Sequence, residues 1–109
     1  MVKQISLDAW QIQHLEDLLK KGSSAVTKTG TPIVLYRQTI EEEENVYEEI
    51  ICTITEKYVV EQLVISGGVI PPTFSQQMVY TLEEYPQQLI RKSKDLFLQV
   101  IEILEEQLN

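Results

Sequence analysis

Apolar positions repeat at helical spacing near both ends of the chain and at strand spacing between them. Leu7, Ile12, Leu15, Leu18 and Leu19 share one face of a helix predicted from Leu7 to about Lys21. Asp8 is placed to cap it, with Gln11 three residues on as in a capping box, and Leu7 and Ile12 sit where a hydrophobic staple would place them. Lys20 and Lys21 suit the negative end of the helix dipole, and Gly22 is a plausible stop. Ser23–Ser66 is rich in β-branched and aromatic residues and is broken by turn signals at short intervals. A weak strand is predicted at Ala25–Lys28, then a tight turn at Thr29-Gly30 and a stronger strand at Ile33–Ile40. Glu41–Asn45 reads as a hairpin tip, and Val46–Thr55 and Tyr58–Ser66 read as strands joined at Glu56-Lys57. Links this short favour an antiparallel meander over crossover connections.

Gly67-Gly68 ends that run. Val69-Ile70-Pro71-Pro72 fits neither a regular helix nor a central strand, so 69–74 is expected to be an apolar loop. From Phe74 the even positions Phe74, Met78, Tyr80 and Leu82 are mostly apolar, with Gln76 the exception, as in one more strand. Pro86 marks the first turn of a long helix running to about Leu108. The expected architecture is one α+β domain over residues 1–109. It has an N-terminal helix, an antiparallel β-meander of four or five strands, and a long C-terminal helix packed on the sheet.

The C-terminal helix carries more apolar surface than one sheet face requires. With Ile90 at zero and ~100° per residue, Phe97, Ile101, Leu104 and Leu108 form one row. Leu89, Leu96, Val100 and Ile103 form a second. A helix of about 22 residues is about 33 Å long, more than the roughly 20–25 Å width of four or five strands. Arg91, Lys92 and Lys94 in its first half and Glu102, Glu105 and Glu106 in its last turns oppose the helix dipole. An antiparallel copy would set basic half against acidic half, so a homodimer is expected; the competing reading is a wide stripe covered by the first helix.

Composition narrows the function classes. The apolar fraction of 43 % and charged fraction of 24 % are those of a globular protein. A net charge of −8 disfavours nucleic acid and anionic membranes as partners. The N-terminus lacks the apolar run of a signal peptide, and no stretch approaches ~20 consecutive apolar residues, so the expected location is cytoplasmic. Cys52 is the only cysteine and is expected to be a buried small hydrophobe. His14 is the only histidine, with no nucleophile motif beside it. One of each cannot complete a zinc site, and Glu41–Glu44 lack the interleaved spacing of a calcium loop. Gly22–Gly30 has its glycines and lysine in the wrong order for a phosphate loop. No catalytic residue, metal or cofactor is therefore assigned.

The leading expectation is a non-enzymatic protein-binding module, an adaptor, assembly factor or small acidic chaperone. Its partner would be another protein, held by the C-terminal helix and the 69–74 loop. Trp10, Ile70, Phe74, Leu89, Leu96, Val100 and Ile103 are the candidate contact residues. In bulk properties the chain resembles small acidic dimeric chaperones such as those of type III secretion, without a shared motif. One alternative is a small-ligand binder or enzyme with a pocket between sheet and helices, using Tyr36, Tyr47, Glu48, Tyr58 and Tyr80. Another is an acidic regulator or antitoxin that masks a basic partner.

Overall fold

A computed structural model of the chain describes residues 7–67 and 70–108, and the side chains of all of these except residues 7, 41 and 70–75. The order is α1 (Leu7–Thr29), β1 (Ile33–Glu43), β2 (Val46–Ile54), β3 (Tyr58–Gly67), β4 (Ile70–Thr81), α2 (Tyr85–Lys92) and α3 (Lys94–Leu108). The strands form one antiparallel sheet in the order β1-β2-β3-β4, and the helices pack on it. The α+β architecture matches the one expected, with four strands.

The first helix does not stop at Gly22. The stripe Leu15, Leu19, Gly22, Val26 continues at helical spacing, and all four face the interior. A Cβ at Gly22 would lie 3.2 Å from Ile54 Cδ1 and 3.5 Å from Leu104 Cδ2. Gly22 is thus the place where α1 closes onto β2 and α3. The Ser23 hydroxyl donates to the Glu56 carbonyl, and Thr27 donates to the Ser23 carbonyl at 3.0 Å. These contacts override the β-leaning composition that predicted a strand at Ala25–Lys28. The helix ends instead at Gly30, with φ of 74° and its N–H on the Val26 carbonyl at 2.7 Å. Asp8 lies inside the first turn rather than capping it, and accepts from Lys94 Nζ at 3.1 Å.

The C-terminal helix is likewise not continuous. Ser93 is extended, at φ −163° and ψ 116°, and separates α2 from α3. Its hydroxyl accepts the Leu96 N–H at 3.2 Å, so Ser93 caps α3. Ahead of α2, Thr81 and Glu84 bond reciprocally, side chain to backbone N–H, at 3.1 and 2.9 Å. Pro86 sits in the first turn of α2, as expected.

In the sheet, the β1–β2 turn is Glu44-Asn45, with φ of 46° and 71°, the pattern of a tight two-residue hairpin. The strands therefore run closer to the tip than predicted. The segment expected as an apolar loop is strand from Ile70 on. It tolerates Pro71 and Pro72 because β4 is an edge, and because the register slips there: Ile65 pairs with Thr73 and Gly67 with Ile70. A second slip between Val34 and Tyr36 turns both Leu35 and Tyr36 inward. One core cluster joins Leu15, Leu19, Leu35, Ile54, Val59, Tyr85, Leu89, Phe97, Val100 and Leu104.

Candidate functional site

Side chains of paired residues share a sheet face, so the register maps the helix-side face row by row. Ile54 pairs with Ile33 and Val59, and Val59 with Tyr80; this row lies under the helices. The next row is Tyr36, Cys52, Glu61 and Met78, and the one after is Gln38, Ile50, Leu63 and Gln76. Glu48 then aligns with Ile65, and Val46 with Glu43 beside the hairpin tip. Burial fades along this series. Along β2, Ile54 and Cys52 are fully buried, Ile50 and Glu48 half-buried and Val46 exposed, while Met78 on the edge strand and Ile40 at the β1 register slip are 57 % and 50 % exposed.

A set of polar contacts marks the boundary. The Cys52 thiol and Tyr85 hydroxyl are 3.2 Å apart, and the Tyr36 hydroxyl donates to Glu61 Oε1 at 2.8 Å. Lys92 Nζ, on the last residue of α2, lies 3.7 Å from Glu61 Oε2. Burial pushes the Cys52 thiol up to about 12, against the opposing pull of the Tyr85 hydroxyl and Lys92. Burial, with the neighbouring Cys52 and Glu61, also raises the Tyr36 and Tyr85 phenols. The thiol and both phenols are therefore held protonated at neutral pH. Tyr85 and Lys92 stand near opposite ends of α2, so these contacts fasten both ends of that helix to the sheet.

Two hollows follow beyond this boundary on the same face. The first, about 210 Å³, is lined by Ile40, Ile50, Leu63 and Met78 together with Gln62 and Gln76, with Glu61 and Lys92 at its edge. The second, about 440 Å³, is lined by Glu43, Glu44, Val46, Glu48 and Ile65. An apolar floor thus runs into an acidic end at the hairpin tip. Gly67 closes that tip: its φ is 151°, and a Cβ there would collide with the Asn45 carbonyl.

The residues expected to carry binding are scattered. Trp10 is 64 % exposed on α1. Leu89 and Val100 are in the core, and Leu96 and Ile103 are half-buried. The side chains of Ile70 and Phe74 lie outside the described residues. The reversed charges of the C-terminal segment find partners within the chain: Lys94 meets Asp8, and Glu105 meets His14 at 2.9 Å. Ile40, Ile50 and Leu63 were not singled out from sequence. Their signal was strand length: about 3.4 Å per residue over strands of 9–12 residues outruns a layer of broken helices.

Among the described residues no three His, Cys, Asp or Glu side chains gather to hold a metal ion, and no helix is long and apolar enough to cross a membrane. Comparison with protein-family models, with curated proteins and with solved structures gives no match to this chain.

Proposed function

We propose that the chain is a non-enzymatic protein-binding module, an adaptor, assembly factor or small acidic chaperone, which docks its partner on the uncovered stretch of the helix-side sheet face. The observation that carries this reading is the apolar floor left in solvent, where Ile40 and Met78 are at least half exposed beside Ile50 and Leu63. Burying a large apolar side chain is worth roughly 1.5–3 kcal/mol, so covering this floor gives a partner a real gain. Burial of the Cys52 thiol, which disfavours the thiolate, supports a binding role rather than nucleophilic chemistry.

The homodimer we propose uses a separate surface, the outer strip of α3. Leu98 is 41 % exposed there, and Leu96 and Ile103 are half-buried.

Photo-crosslinking tests the main reading. A benzoylphenylalanine placed at Ile40 or Met78 in cells should yield a discrete heavier adduct with another polypeptide, and the same group at exposed Gln107 should not. Equal adducts from all three positions, or none from the first two, would remove this face as the docking site.

A further inference from the structure

The reading of this face as a protein-docking site can be taken one step further, to the chemistry of the partner. We infer that the occupant is a basic amphipathic helix of two to three turns, lying along the strands with its cationic end over the β1–β2 hairpin.

Three observations lead there. The free stretch continues the layer already occupied by α2 and α3, and it begins at the polar bonds that fasten α2 down. From the Ile50 row, the first on β2 that is not buried, to the Val46 row is four residues, about 14 Å at ~3.4 Å per residue. A helix of about nine residues spans that length at ~1.5 Å per residue. The floor is apolar at Ile40, Ile50, Leu63 and Met78, which suits an i, i+3, i+4, i+7 stripe. The far end offers Glu43, Glu44 and Glu48 around Val46 and Ile65. Carboxylates set about an apolar floor select Lys or Arg on the last turns of the occupant and repel an acidic one. The same charge argues against a second copy in this groove. Two such ends brought together would crowd like charges, in a chain whose net charge is already −8.

Synthetic peptides of about 16 residues, long enough for four turns, test this on the intact chain. The first carries a Leu stripe and Lys at one terminal half. The second replaces each Lys by Glu. The third keeps the first composition but scrambles the stripe. Binding is read as amide shift changes in the 15N-labelled protein, with affinity from the titration. The Lys peptide should move the amides of Ile40, Ile50, Leu63 and Met78 and bind at least tenfold more tightly than the other two. Glu43→Gln, Glu44→Gln and Glu48→Gln together should weaken it about tenfold, and Met78→Asp should abolish the local shifts. Ile40→Asp provides a second block should either variant fold poorly.

Equal binding of the Lys and Glu peptides would overturn the basic partner while leaving a docking face. Equal binding of the scrambled peptide would reduce the effect to bulk charge attraction and overturn the helix. Shifts at these amides that grow with protein concentration alone would assign the groove to a second copy. Absence of local shifts with every peptide would overturn the inference outright, and the crosslinks at Ile40 and Met78 would then decide separately whether any protein docks there.

Discussion

The two ends of the sheet are built from similar strand residues and meet opposite fates. At one end Ile54, Cys52 and Val59 are sealed under α1, α2 and α3. Toward the hairpin, Ile40 and Val46 stand in water on the same face, and so does Met78 on the edge strand of the Cys52 row. Apolar residues on the strands therefore do not by themselves define the core; the reach of the helical layer does. That reach ends at the Lys92–Glu61 contact and the Ser93 break. The molecule measures 61 × 34 × 22 Å, an elongated body in which the sheet extends past its cover.

The sharpest way to break this comparison is to remove apolar bulk from a covered and from an uncovered position. Phe97 is fully buried, and Phe97→Ala should cost about 3–5 kcal/mol. Met78→Ala should cost under about 0.5 kcal/mol, as for a surface site. Urea unfolding followed by circular dichroism measures both. Similar losses would mean that something covers Met78 in the free protein.

Alkaline titration probes the boundary between the two ends. Burial raises the Cys52 thiol from 9.0 to about 12 and raises Tyr36 and Tyr85 as well. The folded state thus favours the protonated forms, and their contribution is intact below the ordinary thiol value and lost as pH rises toward the folded one. Between pH 9 and 12 the thiol alone should lower the unfolding free energy by about 1.4 kcal/mol per unit. Cys52→Ala should make the fall shallower. Denaturant melts from pH 8 to 10.5 decide it, and a flat profile would show that these groups are not buried together.

Gly67→Ala perturbs the open end by a route that removes no apolar surface. The added Cβ has no room against the Asn45 carbonyl, and the left-handed backbone there disfavours a side chain. A loss of about 2 kcal/mol is expected, with amide shifts concentrated in residues 43–48 and the core amides unmoved. Shifts spread across α1 and α3 would contradict the separation of the two ends.

How much of this was legible in the sequence follows the same division. The meander, the apolar stripe of α1 and the Pro86 start were readable because each rests on local pattern. Gly22 was misread because its role is tertiary: Ile54 and Leu104 need a residue without a side chain, and nothing near Gly22 in sequence shows them. Ser93 was passed over because Leu89, Leu96, Val100 and Ile103 fit one wheel if the helix is drawn straight through. A Ser followed by Asp95 in the next turn was the available sign of a cap. Pro71 and Pro72 excluded a central strand correctly, and an edge strand with a register slip was the remaining solution. The helix-side floor was hidden for a geometric reason. An overhang was sought in a C-terminal helix too long for the sheet, whereas the broken helices are short and the strands are what project.

The smallest expected effect on stability concerns the outer strip of α3, where a homodimer would form. Leu89 and Val100 are in the core, so the apolar contact available to a second copy centres on Leu98. Of the charges that suggested an antiparallel partner, Lys92 and Glu105 already have partners within the chain. Pairs as exposed as His14–Glu105 are worth little, so a partner helix can displace them cheaply. The resulting contact is small by the standard of stable interfaces, which bury ~1,200 Å² or more, and a dissociation constant in the tens to hundreds of micromolar is expected. Sedimentation equilibrium from about 5 to 500 µM should show a mass rising from 12.6 kDa toward twice that value. Leu98→Glu should hold it at the monomer while changing the unfolding free energy by less than about 0.5 kcal/mol. A monomer at every concentration would remove the dimer and leave the sheet groove untouched. A dimer that survives Leu98→Glu but is lost on Met78→Asp would move self-association onto the groove, and the basic helix would lose its place there.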